Sequence, residues 1–301
     1  MAISRSQLLK ELLPGLNSLF GLEYKSYPEE WRSMFEVENS DRSFEEEVKL
    51  SGFGMAGTKD EGSAITYDDA QEAYTSRYVH NTIAMGFSLT EEAIEDNLYA
   101  SLSARYTKAL ARAFQHTKEV KGAAVLNEAF TGQVGGDCKS LCATDHPLVN
   151  GGTNGNEPTT PVDLNETSLE AAIIQIGKWT DERGLKIAAR PKKLVIPSDL
   201  QFEAERILKS TMRSGTADND VNALASTSAI PGGYMVAHHL SDPDAWFLMT
   251  DIPGGLKHFV RASMKTSMDG DFETGNTRYK GRERYSFGYS DPLGIFGSPG
   301  A

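Results

Sequence analysis

The stretch from residue 44 to residue 87 constrains this chain more than any other part of it. Val48 and Leu50, then Tyr74, Ser76, Tyr78 and His80, alternate with their neighbours at the period of two that marks extended strands. Between these arms, Gly52, Gly54, Gly57 and Gly62 punctuate a tip that has little to bury. A long acidic hairpin cannot make a core by itself. Any fold must therefore project it from a body, and it reads as an arm laid on a neighbouring molecule. That points to assembly rather than catalysis.

The remaining chain supplies the body. Ser88-Leu-Thr-Glu91 has a capping-box pattern and predicts a helix over residues 88–129, running directly out of the hairpin. Acids crowd its start (Glu91, Glu92, Glu95, Asp96) and cations its later turns (Arg105, Lys108, Arg112, Lys118, Lys121), the order that complements a helix dipole. Ile94, Leu98, Leu102, Tyr106, Leu110 and Phe114 step by four, so the helix packs on more than one neighbour. Residues 6–22 predict a short amphipathic arm broken at Pro14-Gly15. Residues 132–161 are too rich in Gly, Asn, Thr and Pro for a helix. Thr167-Ser-Leu-Glu170 predicts a helix start, with Gly184 closing that helix. A buried strand follows at 194–196, stopped by Pro197, and Ser198 caps the next helix. Strands are expected near 234–237 and 246–249, and 256–263, 277–284 and 285–289 read as antiparallel sheet with one polar face.

At 301 residues, with 39% hydrophobic and 24% charged, the chain can bury a sizeable core. No apolar run reaches the ~18 residues of a membrane span, and no signal peptide is evident, so synthesis in the cytoplasm is expected. The net charge of −12 argues against a broad basic grip on nucleic acid, but does not exclude a container whose wall avoids sticking to packed nucleic acid. Gly52-Phe-Gly54-Met-Ala-Gly57 matches the dinucleotide motif literally, but Thr58-Lys-Asp-Glu-Gly-Ser continues the loop where a helix would have to open. Cys138, Cys142 and His146 have C-x3-C-x3-H spacing, the basis of a rival reading as a metal or thiol enzyme. That spacing offers neither a fourth zinc ligand nor a third group to orient a nucleophilic pair. His238-His239 and the MDGDFETGN segment read as structural. No catalytic residue, cofactor or metal is expected.

Several segments then resemble the major head proteins of tailed double-stranded DNA phages with the HK97-type fold, specifically the Mu-like head-subunit family. They are LLPGLNSLFGLEY at 12–24, FEEEVKLSGFG at 44–54, SLTEEAIEDNLY at 88–99, TDERGLKIAARPKKLVIP at 180–197 and RYSFGYSDPLGIFGSPGA at 284–301. The resemblance keeps its order along nearly the whole chain. It implies an α+β fold divided into an N-terminal arm (1–43), an extended loop (44–87), a peripheral domain with a spine helix (88–160), an axial domain (161–250) and returning peripheral strands (251–301). It further implies self-assembly into hexamers and pentamers of an icosahedral head around double-stranded DNA, without sequence-specific binding. The partners implied are a portal, decoration proteins and, because the arm begins almost at Met1, a separate scaffolding protein. Localisation in the virion capsid, after assembly in the bacterial host cytoplasm, goes with that reading. The inter-subunit contacts expected from arm and loop are Leu12, Leu16, Phe20, Glu45, Glu46, Phe53, Met55, Lys59 and Glu61. A covalent crosslink through Lys59 is not carried over, since no local motif identifies its partner. The rival within the fold is an encapsulin-like compartment.

Overall fold

The computed structural model describes residues 5–90, 92, 99–132, 134–212, 221–271 and 274–301, with the backbone alone at 5–13 and 99–102. Its architecture is α+β, built on two four-stranded sheets, with a small antiparallel pair of β5 (His146–Pro147) and β6 (Thr153–Asn154) beside them. In the first, β1 (Glu36–Asn39) runs parallel to β10 (Leu256–Gly270), which pairs antiparallel with β11 (Thr277–Tyr289), which pairs antiparallel with β4 (Asn81–Leu89). The strict alternation in β11 gives this sheet two unlike faces: Tyr279, Gly281, Glu283 and Tyr285 turn inward, while Arg278, Lys280, Arg282 and Arg284 turn outward. The segments expected at 277–284 and 285–289 are thus one strand.

Two helices cover the inward face. α2 (Tyr99–Asn127) has 29 residues, about 43 Å at 1.5 Å per residue, and is the backbone element expected of the 88–129 segment. Its Leu110, Ala111 and Phe114 pack with Tyr279 of the sheet and with Leu16 and Phe20 of α1 (Arg5–Ser26). Gly281 makes this approach possible, because a Cβ there would lie 2.8 Å from the Phe114 ring.

Two sequence expectations change here. Ser88 does not cap the helix; it lies in β4 opposite Arg278, while Glu91, Ile94 and Leu98 fall outside the described residues. A four-residue capping pattern was outweighed by a nine-residue ladder whose Ile83 and Phe87 pack against the α1–α2 cluster. Likewise α1 runs unbroken through Pro14. Proline removes one internal hydrogen bond there, and the burial of Leu16 and Phe20 just beyond it keeps the next turns helical.

The second sheet has the order β12 (Ile295–Ser298), β9 (Trp246–Thr250), β7 (Pro191–Ile196) and β8 (Tyr234–Val236). β9 is antiparallel to both neighbours, and β8 is parallel to β7. Leu194, Ile196, Trp246, Leu248 and Phe296 form its core with Leu169, Ala172 and Ile176 of α3 (Glu166–Ile176) and with Ala204 and Ile207 of α4 (Gln201–Lys209). α3 is capped by Asn165, whose side chain accepts from the Ser168 backbone N–H, and not by Thr167 as expected. It closes at Gly177 rather than Gly184, because residues 180–186 turn back as a β-bridge. Ser198 opens a 3₁₀ turn leading into α4 and makes no side-chain cap. A third cluster, with Trp31, Phe35, Leu126, Val195, Phe247 and Tyr289, joins the end of α2 to both sheets.

From this body projects a hairpin. β2 (Phe44–Leu50) pairs antiparallel with β3 (Glu72–Val79), from Phe44 opposite Val79 to Leu50 opposite Glu72. Residues 51–71 form the tip and contain no strand. The second arm passes through His80 into β4, not into a helix.

Candidate assembly surfaces

The hairpin is fastened at its base and bare at its tip. β3 carries Tyr78, whose ring lies over Gly288 of β11, where a Cβ would come within 2.7 Å of it. The Tyr78 hydroxyl bonds to Ser290 Oγ, and Ser290 in turn donates to Glu47 of β2. Glu47 also receives the Lys257 ammonium, which reaches Glu38 at 2.9 Å. Burial works against the charge on Lys257, but the hydrogen bonds to Glu47 and Glu38 outweigh it and hold its pKa above the ordinary lysine value. Burial, opposed in part by the bond to Ser290, raises the Tyr78 phenol far above its ordinary range, so it stays a donor. One residue pair further on, Lys49 Nζ bridges Asp291 at 3.0 Å and Glu182 at 3.2 Å, with the Tyr74 hydroxyl at 3.3 Å. At the junction with β4, His80 is buried, bonding to Ser40 at 2.8 Å and Ser286 at 3.0 Å. Its burial first, and then the nearby Arg284, depress its pKa, so it is neutral at pH 7.

Beyond residue 51 the apolar side chains of the hairpin are open. Met55 is 85% exposed and Tyr67 89%, with Phe53 and Ile65 also exposed. Among the described residues, one hydrogen-bonding contact ties this tip to the body: Arg183 Nη2 donates to Asp68 Oδ1 at 2.8 Å and to the Asp69 carbonyl at 2.7 Å. The Gly54 N–H first, and Arg183 after it, hold the Asp68 carboxyl below its ordinary pKa.

Among the residues expected to cross subunit boundaries, Phe53, Met55, Lys59 and Glu61 are all exposed on this tip. Glu46 lies at the rim and pairs with Arg77 at 3.6 Å, while Glu45 accepts from Ser40 at 2.6 Å. Leu16 and Phe20 are placed differently: both are buried against the chain's own α2 and β11, because α1 continues past Pro14 and lays that face down. Leu12 lies within α1, and its side chain falls outside the described residues.

The rival centre at Cys138, Cys142 and His146 does not assemble. His146 spends its ring on Asp137 at 2.5 Å and Asn156 at 3.0 Å. Cys138 is exposed, whereas Cys142 is enclosed in the central core, where burial pushes its thiol well above the usual range. Among the described residues no group of His, Cys, Asp or Glu is arranged to hold a metal. His238 is likewise structural, bonding to Glu30 at 2.6 Å. A residue the sequence hid is Asn156: wholly buried, it accepts from the Ala143 N–H and donates to the carbonyls of Leu141, Pro292 and Ile295. It pins the C-terminal segment beneath the hairpin base, yet among so many Gly and Asn it looked like one more turn residue.

The fold aligns over 95% of this chain and 98% of the other with the virus-like particle from Pyrococcus furiosus (TM-score 0.55, 11% identity). It also aligns over 98% and 76% with the procapsid of bacteriophage JBD30 (0.51, 15%), and over 91% and 88% with the holo-SrpI encapsulin complex from Synechococcus elongatus PCC 7942 (0.54, 8%). These likenesses define a protein of the HK97-type capsid fold. A search of curated protein sequences found no significant match. The family model for phage capsid protein matches residues 73–297, and the chain belongs to that family. It is a structural capsid shell protein, located in the virion capsid.

Proposed function

We propose that this chain is the major head subunit of a tailed phage, forming hexamers and pentamers that close into an icosahedral shell around double-stranded DNA. The observation that carries this reading is the hairpin tip, whose open Phe53, Met55, Ile65 and Tyr67 are a poor surface for a free monomer and a good one for a covered interface. Many modest contacts of this kind, repeated by closed symmetry, sum to a stable shell. The division into arm, extended loop, peripheral and axial domains follows the same reading, as does crossing of arm and loop onto neighbours. So do assembly in the bacterial cytoplasm, a separate scaffolding protein, a portal, decoration proteins and the lack of a catalytic role. The narrower likeness to Mu-like head subunits rests on the five sequence segments alone.

Deleting residues 53–62 is expected to leave folded subunits, judged by circular dichroism, that no longer form stable shells. Normal particles from that variant in electron micrographs would sink the proposal. The fold likeness to an encapsulin supports a second reading, a compartment that encloses protein. Particles purified from the native source decide between the two: nuclease-protected DNA inside favours the head, a protein cargo the compartment.

A further inference from the structure

An open sheet edge is a row of unpaired backbone N–H and C=O groups, and a subunit that must stay single guards it with charge, proline or shortness. Most edges of this chain are guarded. β1 is four residues long and carries Glu36 and Glu38, while β8 and the β5–β6 pair have three residues or fewer. Both hairpin strands are charged on each face, and β12 is buried. β4 is the exception. It closes the first sheet with nine residues, Asn-Thr-Ile-Ala-Met-Gly-Phe-Ser-Leu, none of them charged or proline. Among the described residues no strand pairs with its outer edge. On its inward face Met85 is 56% exposed between the half-buried Ile83 and Phe87. Tyr106 of α2, whose ring lies 5.7 Å from that of Phe87, is 48% exposed beside them. A long neutral edge rimmed with open apolar side chains is a surface made to be paired.

We propose that β4 pairs antiparallel with β4 of a second copy across a two-fold axis at Met85, joining two four-stranded sheets edge to edge. This rests on the reading of the chain as a shell subunit and names one of its contacts. The strand is its own match about that axis: Ile83 falls opposite Phe87 of the other copy, Thr82 opposite Ser88, and Ala84 opposite Gly86. A β-branched residue meets an aromatic one on the inward face and two hydroxyls meet on the outward face, both favourable cross-strand pairs. Met85 meets itself on the axis, and this register pairs all nine residues. The other described edges fit worse. β1 would cover less than half of β4, and either face of β2 or β3 would set a charge against Ile83 or Phe87. The outward cations of the two β11 strands would stand three strand spacings apart, about 14 Å, beyond a screening length of about 8 Å. The contact is isologous, so each edge is consumed by its partner and a closed pair results instead of a fibre.

Oxidative crosslinking of assembled shells tests the register. Cys142 is buried and the exposed Cys138 is first replaced by Ser. In that background Met85→Cys puts two thiols opposite each other with Cα atoms about 4.5–5.5 Å apart, within the span of a disulfide. Mild oxidation is expected to turn most of the protein into dimers on a non-reducing gel. Thr82→Cys, whose two-fold mate lies about 20 Å away, should give at least roughly tenfold less dimer. Combining Thr82→Cys with Ser88→Cys should bring the dimer back. Independently, Met85→Lys should leave the subunit folded, since that side chain is more than half exposed, and lower shell yield by roughly tenfold by setting two ammoniums face to face. Met85→Glu should do the same, and mixing the two variants should recover yield several-fold. Shells of Met85→Cys that form without the dimer would overturn the pairing, as would equal crosslinking by Thr82→Cys alone. If the cysteine variant forms no shells, the Lys and Glu variants decide: full yield from either alone, or no recovery on mixing, overturns the pairing. Failure of the wild-type chain to form shells would overturn the shell reading itself, whereas wild-type shells whose Met85→Cys form lacks the crosslink overturn only the β4 contact.

Discussion

The hairpin and the second sheet are held by different physics. The β12–β9–β7–β8 sheet is closed by apolar side chains, with Leu194, Trp246 and Leu248 wholly excluded from solvent and helices packed against them. The hairpin base is stitched to the body by hydrogen bonds and two lysines, and its tip by one arginine. Apolar burial is non-directional and collapses as a unit, so it suits a part that must not change. Polar stitching is individually weak at a rim open to water, and can be exchanged for equivalent partners on another molecule. On the reading proposed above, in which the hairpin crosses onto a neighbour, the contrast separates a fixed body from a reach whose attachments can be exchanged.

The largest expected effect tests the fixed half. Leu194→Ala removes a side chain from the centre of β7 and leaves a cavity among Trp246, Leu248 and α3, costing about 2–5 kcal/mol. Urea denaturation of the isolated subunit should show that loss as a lower midpoint with unchanged slope. A loss below about 1 kcal/mol would mean that this core relaxes easily and that the comparison is drawn in the wrong place.

A smaller and more local effect is expected at the hairpin base. Lys257→Met removes the ammonium shared by Glu47 and Glu38, leaving both carboxylates close together without a cation. Both acids remain partly open to solvent, so the cost is about 1–2 kcal/mol, well short of that for a buried pair. Hydrogen exchange should show β2 and β3 amides losing protection while β7 and β9 keep theirs. Equal loss in both regions would show that the hairpin base and the second sheet open as one unit.

The sequence made some of this contrast legible and concealed the rest. The hairpin with its glycine tip, the long helix and the strands at 194–196 and 246–249 could be read because each is announced by local periodicity. The lysine stitches could not, since Lys257 and Glu47 lie 210 residues apart and each looks like an ordinary solvated charge. Ser88 misled for a related reason: its capping pattern is a four-residue signal, whereas its place in β4 is fixed by Arg278 on a strand nearly two hundred residues away. Arg278, Lys280, Arg282 and Arg284 were visible as an alternating strand with a polar face. That this face is uniformly cationic, and that Lys265 adds to it, became apparent only once the register was known.

The smallest effect should be found at the tip, and its direction matters more than its size. Asp68 is half exposed, and it faces Arg183, whose side chain is much less so. Replacing it by Asn removes the charge but keeps the shape, so global stability should not change measurably. Local exchange at residues 52–71 should rise by a few-fold. The Asp68 carboxylate, held first by the Gly54 N–H and then by Arg183, also carries a pH signature. Because the folded carboxyl titrates below its ordinary value of 3.8, its contribution is fully present above that value and is lost as pH falls through the lower folded one. Tip protection in the wild type should therefore be constant from neutral to mildly acidic pH and fall only in stronger acid, with added salt mimicking the loss at any pH. Asp68→Asn should remove both dependences. If the tip of that variant stayed as protected as the wild type in low salt, the Arg183 contact would not be what holds it. The restraint would then lie in the backbone turn at Gly54, and the tip would belong with the fixed half of the molecule.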